Sequence, residues 1–551
     1  MPEVTATDEA APTSAPERAY RPTRRPTSLL AAVAALVIIV VVVLIVFTGG
    51  SGNSAPDTSA AGLVPADALA YVNLSLDGSR PPVKQALAVV RRLPNFSLAG
   101  PAALSRLGAI ISGGGPVDFE TQISPWLGDQ AALALLNTTT STAGALVVLA
   151  VKNHDRAMKF VTSEGATAHG SYRGKSLLAY SSGIELAFIG NHLVLGQPAS
   201  VQSAIDVASG ATPALAAAAV YKRASAAQPS GRVLDAYASL AGVRRLLADQ
   251  SGVLGALGGL LYQPALQGVA LSVTPTQQGA RVLVNSALDP TLTQLHGASS
   301  PPFTPTLQDV LPSGASLMLD VSGLDKAAPA VLNAGSEAGV AGAIGPLLAR
   351  LGTALKAEGV NVSNLVSIFD HEAAVAILPG GKSPALVVVA RASDPSKVKT
   401  ELADLEVPLA QLFQTKGQSS SSEPVFDDRQ VAGVTAHQLA LTTGLQLDYA
   451  VFRGLVVIST SLQGIAAVAQ PGHTLASDPG FRATLASRPK LVTGLVYLAL
   501  GKLLALSSLT GLTNSSAFNA IRGDLSKLTA VGVASTRSPN GSQSQLTIAI
   551  P

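Results

Sequence analysis

The alternation of hydrophobic and polar positions along this chain is interrupted once, by an unbroken apolar run. From Leu29 to Phe47 the sequence LLAAVAALVIIVVVVLIVF carries no polar side chain over nineteen residues. A helix of that length spans the roughly 30 Å hydrocarbon layer of a bilayer. The run therefore predicts a single transmembrane helix over 29–47. A buried core helix would need apolar neighbours on every side. A cleavable signal carries a shorter apolar stretch ending at a small-residue cleavage site, whereas Thr48-Gly49-Gly50-Ser51 follows here.

Beyond residue 61 the pattern changes. Strands alternate, or run apolar for short stretches between turn residues, and helices show three-to-four spacing, as in Val398, Leu402, Leu405 and Leu409. Tight loops such as Ser181-Ser182-Gly183 and Arg453-Gly454 join consecutive strands too closely for parallel crossovers. The expected fold class is α+β, an antiparallel sheet with helices packed on one face.

The same pattern occurs twice. Leu63-Val64-Pro65 leading into Leu69-Ala70-Tyr71-Val72-Asn73 matches Val310-Leu311-Pro312 leading into Ser316-Leu317-Met318-Leu319-Asp320. Ala131 to Leu136 matches Ala373 to Leu378, and Ala145 to Ala150 matches Ala385 to Ala390. Later strands, the segment before Tyr237 and Tyr497, and the closing hairpins follow in the same order. Residues 62–289 and 308–551 thus read as two tandem copies of one unit. A proline-rich linker, 290–307, is expected between them, and 48–61 is expected to be a flexible stalk. A serine-rich loop from Gly417 to Ser422 is expected inside the second copy.

Charge settles direction. Arg18, Arg21, Arg24 and Arg25 precede the apolar run, and no Lys or Arg follows it until Arg80. These topogenic charges predict a cytoplasmic N-terminus, with residues 1–28 as a disordered tail, and extracytoplasmic C-terminal domains at the plasma membrane. The net charge of +3 and scattered basic residues give nucleic acid little to bind. With only 4% aromatic residues, stacking platforms for bases or sugars are not expected. There are no cysteines, so disulfides, thiolate metal sites and a lipidated cysteine are all excluded, and the helix is the expected attachment to the bilayer.

The layout resembles the domain-of-unknown-function 3352 family of bacterial membrane proteins. The resemblance rests on the Val64 to Ala68 strand opening and on Trp126-Leu127-Gly128-Asp129 before an alanine-rich strand. It rests also on Val147 to Lys152 turning into a helix at Asp155-Arg156-Ala157. In the second copy the tryptophan motif becomes Ile368-Phe369-Asp370-His371. The resemblance implies an actinobacterial-type envelope protein and supplies no reaction.

Candidate chemistry is sparse. Gly174-Lys175-Ser176 and Gly381-Lys382-Ser383 lack the upstream glycine of a phosphate loop, with His169 and Ala376 in its place, and read as turns. The seven histidines show no metal-binding spacing. Asp370-His371-Glu372 reads as a turn before a strand, Asp427-Asp428-Arg429 as a solvated loop, and Trp126 as core. No catalytic, cofactor-binding or metal residue is assigned, and no cofactor is expected. The expected function is non-enzymatic binding of an envelope protein or an apolar, lipid ligand. An envelope hydrolase or transferase with an unrecognised site, and a structural spacer, are the alternatives.

Overall fold

The computed structural model describes residues 55–93, 108–115, 117–136, 144–247, 265–295, 301–323, 369–379, 384–412, 425–442, 445–505, 523–524, 526–538 and 540–550. The apolar run at 29–47, Arg18, Arg21, Arg24, Arg25, Gly381-Lys382-Ser383 and the Gly417 to Ser422 loop lie outside these residues. Among the described residues no helix is long and apolar enough to cross a membrane.

Among the described residues twenty strands form one antiparallel sheet. The first ten are β1 (Ala70–Ser75), β2 (Leu127–Leu136), β3 (Gly144–Val151), β4 (Thr167–Tyr172), β5 (Lys175–Ala179), β6 (Glu185–Ile189), β7 (His192–Gly196), β8 (Leu234–Ser239), β9 (Leu266–Thr276) and β10 (Gly279–Leu288). The second ten are β11 (Leu317–Ser322), β12 (Glu372–Leu378), β13 (Ala385–Arg391), β14 (Phe426–Val431), β15 (Val434–Thr442), β16 (Leu445–Phe452), β17 (Leu455–Ser459), β18 (Gly494–Leu498), β19 (Ala530–Ser538) and β20 (Gly541–Ala549). Through the first half the order is β4, β5, β6, β7, β3, β2, β1, β8, β9, β10. It continues as β20, β19, β18, β11, β12, β13, β17, β16, β15, β14. Each half has the same strand order, read outward from a joint where β10 pairs with β20.

The joint is nearly two-fold. Gly279 faces Ala549 at one end and Ala287 faces Gly541 at the other, with Leu283 opposite Gln545 at the midpoint of nine pairs. Two flanking bonds repeat the symmetry: Leu288 N–H to the Asn540 carbonyl at 3.1 Å, and Ile550 N–H to the Gln278 carbonyl at 2.6 Å.

Antiparallel partners share a side of the sheet. We call the side of Tyr71, Asn73 and Gln130 upper, and that of Val72 and Leu133 lower. On the upper side, helices Pro198–Ala208 and Ala219–Ser225 pack on the first half around Tyr71, Leu146, Val194 and Tyr237. Helices Leu462–Ala469 and Pro479–Leu485 do the same on the second, around Met318, Val387, Val457 and Tyr497. On the lower side, Pro81–Val90 and His154–Ser163 cover part of the first half, and Pro395–Leu412 part of the second. Helices thus pack on both faces and not on one as expected. The inner strands explain this, because runs such as Ala145 to Val151 are apolar at consecutive positions and need cover on both sides.

Two expected spacers are also built in. Residues 55–61 are not a free stalk, since Ala60 and Ala61 are buried. In the proline-rich segment, Pro290–Leu295 is a helix, and Phe303 exchanges two backbone bonds with Val492, at 2.8 and 2.9 Å.

Gly279 has φ +146°, and a Cβ there would collide with the Ile548 carbonyl across the joint. Gly433 also has positive φ, +77°, but opens onto free space. In urea denaturation, Gly279→Ala should therefore cost about 3 kcal/mol and Gly433→Ala about 1 kcal/mol. Equal costs would contradict the tight fit of the joint.

Candidate functional site

Polar residues inside the sheet form matching seams in the two halves. In the first half, Gln130 donates through Nε2 to Asn73 Oδ1 at 2.7 Å and to the Asp57 carbonyl at 2.9 Å. Its Oε1 accepts from Ser59 Oγ at 2.9 Å and Ala60 N–H at 3.1 Å. Asn73 also donates to the Asp57 carbonyl, at 2.9 Å. Two neutral amides thus fasten the incoming chain onto β1 and β2. Beside them the buried pair Arg232–Asp235 and the buried Arg80, which donates to Ser75 Oγ at 2.8 Å, close the seam.

In the second half the same places hold two acids, Asp320 and Glu372. Glu372 accepts from the Thr306 hydroxyl and from the N–H groups of Thr306 and Leu307. Arg391 Nε stands 4.0 Å from its Oε2. Asp320 is fully buried, and among the described residues neither of its oxygens finds a donor. Burial first, and then the Glu372 carboxylate, push its carboxyl up to about 9, so that it keeps its proton at neutral pH.

A second matching position holds Glu185 on β6 and Asp448 on β16. Both are buried, and each has one oxygen without a partner among the described residues. Burial raises Asp448 to about 6 against the opposing hydrogen bond from Gln446. On the lower face of the second half, His437 Nδ1 lies 3.0 Å from Asp428 and 3.1 Å from Glu406. Its ring stacks on Tyr449 at 4.6 Å, and the Tyr449 hydroxyl donates to the same Glu406 oxygen. This cluster ties helix Pro395–Leu412 to the sheet.

The most extensive unusual surface is the lower face itself, from β3 to β13. Its side chains are small and aliphatic. They include Leu133, Leu135, Val269, Val282 and Val284 in the first half and Val321, Val375, Ile377, Val388, Val496, Val531 and Val533 in the second, all half-buried. Leu319 is 42% exposed and Leu386 46%, while their upper-face neighbours Met318, Asp320 and Val387 are fully buried. Twelve strands at their usual spacing span about 55 Å, of which helices Pro81–Val90, His154–Ser163 and Pro395–Leu412 cover the parts around Leu74, Leu149, Leu234, Ala373 and Ala390. A cleft of about 430 Å³ also opens at the end of the joint, between Arg92, Gln278, Gly480, Thr529 and Ile550.

The description "Protein of unknown function (DUF3352)" matches residues 29–550. The chain belongs to the DUF3352 family. No curated protein matches it. Crystal form I of TP0453 is similar at 10% identity and a TM-score of 0.25, covering 42% of this DUF3352 chain and 82% of that one. Form III is similar at 8% identity and a TM-score of 0.24, covering 44% and 88%. Likenesses this remote say nothing of what the chain does.

The residues singled out in the sequence do not converge in the DUF3352 fold. Trp126 is core, its Nε1 donating to the Gln122 carbonyl at 2.9 Å. Gly174 and Lys175 belong to the β4–β5 hairpin, where Arg173 and Gly174 take positive φ. His371 contacts exposed Asp370 at 2.6 Å, whereas Glu372 turns into the buried seam. Asp427-Asp428-Arg429 is strand β14 and not a loop, with Asp428 opposite His437. Among the described residues no group of three or more His, Cys, Asp or Glu is arranged to hold a metal ion.

Asp320 was missed because an alternating strand hides an acid among its inward positions. The signal was its alignment with Asn73. A carboxyl whose folded value lies above its unfolded one stabilises the fold at low pH and loses that contribution as pH rises towards 9. Asp320→Asn, which restores the amide of the first half, should therefore leave stability unchanged near pH 4. At pH 8 it should add about 2 kcal/mol or more, measured by denaturant titration across pH. A constant difference at both pH values would contradict the buried, protonated acid.

Proposed function

We propose that this DUF3352 chain is a membrane-anchored, extracytoplasmic envelope protein that holds acyl chains against the lower face of its sheet, without catalysis. The observation that carries the reading is that face, with exposed Leu319 and Leu386 among half-buried valines and leucines continuous across both halves. Apolar patches of this extent mark surfaces for an apolar ligand, a partner or a membrane. Small branched aliphatics with almost no aromatics suit flexible acyl chains better than planar rings. The reading places the bilayer anchor at 29–47, preceded by Arg18, Arg21, Arg24 and Arg25. It also takes residues 62–289 and 308–551 as copies of one unit, supported by their shared strand order.

Full-length protein purified from membranes should carry lipid in stoichiometric amount, identified by mass spectrometry of the extract. Leu133→Asn combined with Leu319→Asn should lower that amount at least about threefold without lowering Tm by more than a few degrees. Wild-type protein free of lipid would sink the acyl-chain reading. For the anchor, Ser54→Cys should react with an impermeant thiol reagent added outside intact cells, and labelling only after lysis would reverse the orientation.

A further inference from the structure

The lower face departs from two-fold symmetry at one place. On three adjacent strands, Ser286 faces Ser542, Ser542 faces Arg537, and Ser544 faces Ser535. The Ser535 and Ser544 hydroxyls are 2.9 Å apart. All five side chains are half-buried on the lower side. The symmetry that puts Leu283 opposite Gln545 and Gly279 in the place of Gly541 gives each a mate in the other half. Ser542 corresponds to Ala280, Ser544 to Val282, Ser535 to Val273, Arg537 to Pro275 and Ser286 to Ile548. Every mate is apolar. A hydroxyl-lined island with one guanidinium therefore occupies one side of the joint, flanked on this face by aliphatic positions such as Val282, Val531 and Val533.

Arg537 is the one basic residue on this face among the described strand residues from β3 to β13, the acid Asp129 lying far off on β2, and its guanidinium has no hydrogen-bond or ion-pair partner among the described residues. A guanidinium with hydroxyls beside it matches the oxygens of a phosphate monoester or diester, which accept charge-assisted bonds in a planar fork. The aliphatic strands β18 and β11 beside it, with Val496, Leu319 and Val321 on this face, offer room for two chains running away from that point, whereas the lower side of β8 and β9, at Leu234, Leu271 and Val273, packs under helix Pro81–Val90. We infer that the face takes a phosphate-bearing diacyl lipid, its headgroup on Arg537, Ser286, Ser535, Ser542 and Ser544 and its chains along the aliphatic strands. This inference rests on the acyl-chain reading above and adds the headgroup.

The test uses the full-length protein in detergent, titrated with fluorescently labelled phosphatidic acid and with diacylglycerol carrying the same chains. Wild type should prefer phosphatidic acid by about tenfold. Arg537→Gln should bring the two lipids within about twofold by weakening phosphatidic acid alone, and Arg537→Lys should keep part of the preference. Ser544→Ala should reduce the preference without affecting diacylglycerol, and inorganic phosphate should not displace the bound lipid. If both lipids bind and Arg537→Gln leaves their ratio unchanged, the headgroup site is wrong while the acyl-chain reading stands. If inorganic phosphate displaces the lipid, the island is a site for free phosphate and the inference fails. If neither lipid binds wild type, both readings fall together.

Discussion

The backbone pairing of β10 with β20 is the constraint on which the rest of the architecture depends. Each half ends in a hairpin whose last strand would otherwise present a row of unpaired N–H and C=O groups, a template for aggregation. Pairing these two strands to each other removes both edges and merges two sheets into one. The edges left over are β4 and β14, short strands reading THR-ALA-HIS-GLY-SER-TYR and PHE-ASP-ASP-ARG-GLN-VAL, almost wholly exposed and polar. Polar side chains on an outer edge discourage further strand addition, so the sheet grows at its centre and stops at its ends.

With the joint fixed, each half has to close its own inner strands, and the two do so with different chemistry in the same geometry. Gln130 and Asn73 satisfy the entering chain with neutral amides, each able to donate and accept. Glu372 and Asp320 can accept from the chain but cannot satisfy each other unless one holds a proton. The second half therefore carries a cost at neutral pH that the first half avoids. Glu372 for its part is satisfied by the segment joining the two halves, through Thr306 and Leu307.

Much of the local fold was legible in the sequence, because hairpin register depends on near neighbours. The matched runs Ala131 to Leu136 and Ala145 to Ala150 do pair, as do Ala373 to Leu378 and Ala385 to Ala390. The hairpin turns at Ser181-Ser182-Gly183 and Arg453-Gly454 fall where the strands reverse. What failed was of two kinds. Strand β14 was read as a loop because an edge strand needs no apolar alternation, so Asp427-Asp428-Arg429 offered no period to detect. The joint, the helices on both faces and the serine island were illegible for another reason. Each depends on residues far apart in sequence whose neighbourhood is set by register alone.

Symmetry also separates what builds the fold from what distinguishes the halves. Positions serving the joint and the core keep their character across the two-fold, as Gly279 and Gly541 or Tyr237 and Tyr497 do. A residue required only by the architecture has no reason to differ from its mate in polarity. Three of the places that break that rule are the seam, where amides face acids; the position of His437 on β15, opposite Tyr449, where β5 and β6 pair Leu178 with Leu186; and the island around Arg537. The first two are enclosed by packed elements and their groups bond to one another, so their differences are settled within the protein. The third is open on the lower face, and its guanidinium has no described partner to settle with. Of these three, it is the one whose chemistry is directed outward.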